Sequence, residues 1–153
     1  MSEVLEATQP LAVLAPPGKV PAGFTAILGE AFMETVGPIY ARQNEEGLWD
    51  IGCLALSQHA NRFGAVHGGM LATLVDYAVG FNLLGAGEPS VLLGTVSLNI
   101  DFISSGQLGE WLVVKVTIDK NHGRLRFCSC ALYGDNNRLV LRASGIFSSA
   151  VKK

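Results

Sequence analysis

Residues 68–84 predict one long helix whose apolar side chains fall nearly all the way round it, leaving no polar stripe to face water. Such a helix has to be wrapped by the rest of its fold. At 153 residues, 49% hydrophobic and only 16% charged, the chain is expected to form one domain with a substantial core. One residue interrupts the apolar run. Asp76 stands between Val75 and Tyr77, where an unpartnered carboxylate would be costly to bury. The positions three and four residues away on the helix are Ala72, Thr73, Val79 and Gly80, so no Lys or Arg neutralises it locally.

The material for the wrap is β-structure. Val96, Leu98, Ile100 and Phe102 alternate with Thr95, Ser97, Asn99 and Asp101, while Leu112, Val114, Val116 and Ile118 alternate with Trp111, Val113, Lys115 and Thr117. A period of two belongs to a half-buried strand. Residues 124–133 and 138–148 read as a hairpin about Gly134-Asp135-Asn136-Asn137, whose Gly and Asn suit turn backbones. Ahead of the helix, a strand at 38–43, a turn at 44–47 and a strand at 48–57 make a first hairpin, and residues 26–35 predict a short helix. Pro10, Pro16, Pro17 and Pro21 with Gly18 and Gly23 make 1–23 a loose leader. Gly85 and Gly87 close the long helix. The expected fold class is α+β: a domain over 24–153 with an antiparallel sheet wrapped around one long central helix.

Charge and cysteine content exclude several function classes. A formal net charge of −2 offers no basic field for nucleic acid, and no Lys and Arg cluster is interleaved with aromatics. The apolar residues 11–15 are too few for a signal core and follow Glu3 and Glu6 rather than a basic region, so a cytoplasmic protein with no membrane partner is expected. Cys53, Cys128 and Cys130 are an odd number and lack metal or redox spacing, which fits buried small hydrophobes. His59, His67 and His122 are scattered and make no metal site. No Gly-x-Ser-x-Gly elbow or P-loop is present.

The entry to the long helix carries a chemistry. His67-Gly68-Gly69 allows close approach to backbone, and first-turn N–H groups are unpaired and partly positive, so Gly68 can donate to a developing oxyanion. Asp76 lies eight residues further on, about 12 Å along a straight helix, whereas a nucleophile and an oxyanion donor must both come within about 3–3.5 Å of the reacting group. If both act on one carbonyl, the carboxylate comes from a second subunit. Two such helices running antiparallel across a twofold axis bring Gly68 of one chain near Asp76 of the other.

Residues 61–76, from Asn61 through His67-Gly68-Gly69 to Asp76, resemble the signature of hotdog-fold acyl-CoA thioesterases of the phenylacetic-acid-degradation type. Residues 94–102, the pair Gly109-Glu110 and the segment 120–124 extend the likeness, which covers roughly residues 40 to 149. The resemblance implies a hotdog fold, hydrolysis of an acyl-CoA substrate to free acid and CoA, no metal or separate cofactor, and a homo-oligomer, at least a dimer and in the family a tetramer built from two dimers. It implies Asp76 as nucleophile or general base, Gly68 and Asn61 as oxyanion donors, His67 in support, and Thr95 orienting the carboxylate or water. Read alone, Asn61 and His67 are as well explained by loop structure, and Thr95 as an ordinary strand residue. Gly69, Tyr77 and Phe81 are candidate substrate contacts. Lys120, Arg124 and Arg126 are candidates for the CoA phosphates, with Arg124 and Arg126 on one strand face; solvated edge charges are the competing explanation. A non-catalytic acyl-CoA-binding module and a hotdog hydratase or dehydratase are the alternative functions.

Overall fold

The computed structural model describes residues 18–85 and 90–151. Most of the expected leader, residues 1–17, and the expected stop signal Gly87 lie outside the described residues. Seven strands form one antiparallel sheet: β1 (Thr25–Ile27), β2 (Ile39–Gln43), β3 (Trp49–Leu54), β4 (Ser90–Phe102), β5 (Trp111–Lys120), β6 (Leu125–Tyr133) and β7 (Leu139–Val151). Two helices accompany them, α1 (Ala31–Val36) and α2 (Gly68–Gly85). The sheet order is β1-β2-β3-β5-β6-β7-β4. Strands β3 and β4 are consecutive along the chain but separated by β5, β6 and β7, so the helix between them has to cross the sheet.

That crossing makes the core. Ile51 and Cys53 of β3, Leu112 and Val114 of β5, Cys128 and Leu132 of β6 and Leu141 and Phe147 of β7 bury against Leu71, Leu74, Val75, Ala78, Val79 and Leu83 of α2. The alternation read from β5 reappears as burial of Leu112, Val114 and Val116. Each fully buried aliphatic side chain stabilises by about 1.5–3 kcal/mol relative to exposure. All three cysteines are buried, and burial pushes the Cys53 and Cys130 thiols up to about 12. Asn82 adds a polar tie that the apolar pattern does not announce. Its Oδ1 accepts from Trp49 N–H at 2.8 Å and its Nδ2 donates to Trp49 O at 2.9 Å, fixing α2 to the start of β3.

Three features differ from the sequence-based expectation. Residues 26–35 are not one helix: Thr25–Ile27 pairs with β2, and only Ala31–Val36 is helical. Gly29, at φ 90°, breaks the segment, and its N–H donates to Glu34 Oε1 at 2.7 Å. Second, α2 is not wrapped all round within one chain. The sheet covers one side, while Ala72, Thr73, Asp76, Tyr77, Gly80 and Phe81 stay partly exposed on the other.

Third, β4 does not keep a period of two. Its pairing with β7 slips between Thr95 and Ser97, because Thr95 opposes Phe147 and Ser97 opposes Ile146. Val96 is the extra residue of a bulge and is 58% exposed, instead of sharing the core face with Leu98. The slip turns Thr95 onto the face that Leu98 occupies, toward α2.

Candidate active site

The loop from Asn61 to α2 is held from several sides. Asn61 N–H donates to Ala65 O at 2.7 Å, Val66 N–H donates to Gly106 O at 2.9 Å, and His67 N–H donates to His59 O at 2.7 Å. His59 is 4% exposed, with Nδ1 accepting from Leu56 N–H at 2.9 Å and Nε2 donating to Val36 O at 2.6 Å. It is therefore a positioning residue for this loop, and no spacing in the sequence marks it as one. Glu110, 5% exposed, supports the same region by accepting from Gln107 N–H at 2.7 Å, Asp135 N–H at 3.1 Å and Arg138 Nη2 at 2.6 Å. Burial raises its carboxyl, but the Arg138 guanidinium and the two backbone donors outweigh burial and hold it below the usual carboxylate range.

The helix entrance sorts the two glycines. His67 O accepts from Met70 N–H at 2.9 Å and Leu71 N–H at 3.2 Å, and His67 Nδ1 accepts from Gly69 N–H at 2.8 Å. Of the first-turn N–H groups, that of Gly68 alone has no acceptor among the described residues. Gly69, expected as a substrate contact, spends its donor on His67. The bond also sets the His67 tautomer, because Nδ1 must be unprotonated to accept. Asn61 is arranged to match. Its Oδ1 accepts from Phe63 N–H at 2.8 Å and Ala65 N–H at 3.1 Å, which fixes the amide orientation and leaves Nδ2 with no acceptor among the described residues.

A cavity of about 320 Å³ lies beside Gly68, walled by Val66, Leu71, Phe102, Ile103 and Gly106. The Phe102 ring stands 3.5 Å from where a Cβ on Gly68 would be. A larger open depression of about 690 Å³, lined by Arg42, Asp50 and Lys115 among others, includes none of the expected site residues.

Asp76 sits half-exposed on the open face of α2, and its Oδ1 accepts from Thr95 Oγ at 2.6 Å. The ion pairs among the described residues join Arg42 to Asp50, Arg138 to Glu110 and Arg142 to Asp101; none involves Asp76. Tyr77 donates its hydroxyl to Glu30 Oε1 at 3.0 Å, and burial, then this acidic neighbour, raises its phenol. Phe81 packs between Tyr77 and Trp49, with ring centroids 5.8 and 5.9 Å away. The structure thus joins Asp76 to Thr95 and, separately, His67 to Gly69 at the helix entrance, with Asn61 held within the loop that leads to it.

The cation positions divide. Lys120 and Arg124 are exposed at the tip of the β5–β6 hairpin, but Arg126 is 1% exposed. Arg124 precedes β6 and is exposed, whereas Arg126 is buried and donates to Asn121, Gly123 and Ser149. The expectation of Arg126 as a phosphate contact is corrected: the side chain is buried, with its Nε and Nη1 bonded inside the protein.

An antiparallel sheet curled over one long helix is the hotdog fold. The chain belongs to the thioesterase superfamily, which it matches over residues 63–141. It is 33% identical over 129 residues to a Pseudomonas aeruginosa protein provisionally named an esterase, a match covering 84% of this chain and 96% of that one. It is 38% identical over 77 residues to mouse acyl-coenzyme A thioesterase 13, covering 49% of this chain and 53% of the relative. Among solved structures, PaaI of the Escherichia coli phenylacetic acid degradation operon superposes with a TM-score of 0.69 at 19% identity, covering 79% of this chain and 85% of PaaI.

Proposed function

We propose that this protein is an acyl-CoA thioesterase and that each of its sites is shared between two copies of the chain. The observation that carries the reading is Asp76, a carboxylate on the open face of α2, oriented by Thr95 and paired with no cation among the described residues. A group on that face cannot serve its own Gly68, which lies about 12 Å away along the helix axis. A second copy with α2 antiparallel would set its Gly68 N–H and Asn61 Nδ2 opposite this carboxylate. Two features support that pairing: the half-exposed stripe on α2, and strand β4, which ends the sheet with no neighbour on its outer side among the described residues. A tetramer of two such dimers is the assembly proposed.

In such a site the thioester oxygen receives the Gly68 N–H and the Asn61 amide, which stabilise the charge that grows on it. Asp76 either attacks the carbonyl carbon to give a mixed anhydride that water then opens, or takes a proton from an attacking water. Either route expels CoA as a thiolate that is then protonated, and needs no cofactor. Tyr77 and Phe81 line the acyl side, and the exposed Lys120 and Arg124 meet the CoA phosphates. No helix among the described residues is long and apolar enough to cross a membrane, and a cytoplasmic location is proposed.

Thiol release from a panel of acyl-CoAs tests the chemistry. Asp76→Asn should lower turnover at least about a hundredfold with substrate binding kept, the scale of removing a positioned base or nucleophile. Undiminished turnover removes Asp76 from the mechanism, and tight ester binding without turnover by the wild type makes the protein a binding module. Sharing is tested by co-refolding Asp76→Asn with Asn61→Ala chains. If sites are shared, each mixed dimer has one intact site, and an equal mixture recovers about a quarter of wild-type activity. No recovery from dimers shown to be mixed places both groups in one chain.

A further inference from the structure

The turn at the tip of the β5–β6 hairpin is held from inside by Arg126. Its Nε donates to Gly123 O and to Ser149 Oγ, each at 3.1 Å, and its Nη1 donates to Asn121 O at 2.8 Å and also to Asn121 Oδ1. Ser149 Oγ completes the set by donating to Gly123 O at 2.8 Å. No carboxylate among the described residues pairs with Arg126, and its Nη2 is buried without a partner there. A buried cation balanced only by neutral oxygens is a costly way to fill volume, which a Met or Leu would fill without desolvating a charge. What the guanidinium adds is direction, because its planar fork fixes where several carbonyls point.

The segment so fixed is the one from which Lys120 and Arg124 project. Lys120 Nζ lies 3.9 Å from where a Cβ on Gly123 would stand, so the ammonium rests on the clamped turn. Gly123 has φ 77°, a conformation that strains other residues, and its carbonyl takes two of the clamp's bonds. Arg124 O accepts Ser149 N–H at 2.9 Å, which ties the other end of the turn to β7 while the Arg124 side chain stays exposed.

The geometry points to Arg126 as a positioning residue for CoA binding: it does not touch the ligand, but it locks residues 121–123 so that Lys120 and Arg124 present their charges to the phosphates at a fixed spacing. This rests on the phosphate role proposed for Lys120 and Arg124. A lock of this kind acts on substrates that carry phosphates. A residue that only stabilises the fold acts on all substrates alike.

The test compares KM and kcat for an acyl-CoA and for the same acyl group on pantetheine, in Arg124→Ala, Arg126→Met, Arg126→Lys and Ser149→Ala. Arg126→Met should raise KM for the CoA ester about tenfold, the worth of one charge-assisted contact, and leave kcat and the pantetheine KM within about twofold. Arg126→Lys, which keeps the charge but not the fork, should recover only part of this, and Ser149→Ala should give a smaller rise of the same kind. If Arg126→Met does not fold, Ser149→Ala and Arg126→Lys carry the comparison. Equal changes on both substrates, or none, while Arg124→Ala raises KM for the CoA ester alone, overturn the positioning role and leave the phosphate role standing. No substrate preference in Arg124→Ala overturns both.

Discussion

One face of α2 carries Leu71, Leu74, Val75, Ala78, Val79 and Leu83, each at most 3% exposed, while the other carries Ala72, Thr73, Asp76, Tyr77 and Gly80, all partly open. Apart from Asp76 the second face holds no charged residue, which is why the sequence predicts a helix wrapped on every side. The difference lies in what each face meets. The first packs on β3, β5, β6 and β7 of its own chain, and the second meets Thr95 from the edge strand β4 and Glu30 from the end of α1. On the pairing proposed above, a second chain covers this open face and Asp76 acts on the substrate held between the two copies.

The largest effects should separate the faces cleanly. Leu74→Ala removes a fully buried side chain and should lower unfolding free energy by about 2–5 kcal/mol. Turnover per folded molecule should change little, because Leu74 points away from the open face. Asp76→Asn should do the reverse, with the loss of turnover given above and a denaturation midpoint close to wild type. Chemical denaturation and thiol release on the same samples decide it: a Leu74→Ala protein still folded but as inactive as Asp76→Asn would end the distinction.

Glu110 extends the comparison to a polar residue on the packed side. It holds Gln107, Asp135 and Arg138, and Ala65 of the Asn61 loop bridges Gln107. Glu110→Gln should cost about 1–3 kcal/mol, the range for hydrogen bonds to a buried charged group. The native carboxyl lies below its ordinary value of about 4.3, so its contribution is complete above that pH and disappears as pH falls through the lower folded value. Wild-type stability should therefore fall below about pH 4, where the difference from Glu110→Gln narrows. A constant difference between wild type and variant from pH 7 down to pH 3 would contradict the assignment.

Thr95 tests the open face at smaller scale. Losing one hydroxyl bond to a carboxylate should lower kcat about tenfold in Thr95→Val, with recovery in Thr95→Ser. A fall in stability without any change in kcat would make the bond structural.

Much of this arrangement was legible beforehand. The long helix, the strand period of β5, the hairpin of β6 and β7 and its turn at Asn136 and Asn137, both at positive φ, follow from local rules that the sequence states directly. The group at Asn61, His67 and Gly68 was legible because its parts are close in sequence. Three things were not. The bulge at Val96 depends on how β4 registers against β7, so alternation alone put Thr95 on the wrong face. Arg126 reads as a surface cation because its acceptors are backbone carbonyls, which carry no sequence signature. His59 and Asn82 bond to backbone at Val36 and Trp49, far along the chain, and residue type alone does not reveal such long-range ties.

The smallest expected effect concerns the cysteines, which report on the packed face without taking part in chemistry. Burial pushes the Cys53 and Cys130 thiols up to about 12, and burial followed by the Asp119 charge pushes Cys128 up to about 11. At pH 8 the thiolate fraction of a thiol near 12 is about one in ten thousand, and the thiolate is the reactive form. The native protein should therefore label negligibly with a thiol reagent, while the denatured chain should release three equivalents. Because Cys53 and Cys128 belong to the wall against which Leu74 packs, Leu74→Ala should speed native-state labelling, whereas Asp76→Asn should leave it at the wild-type rate. Equal labelling of the two variants would mean that opening at these cysteines is insensitive to the packing of α2, and the thiols would then report on the sheet alone.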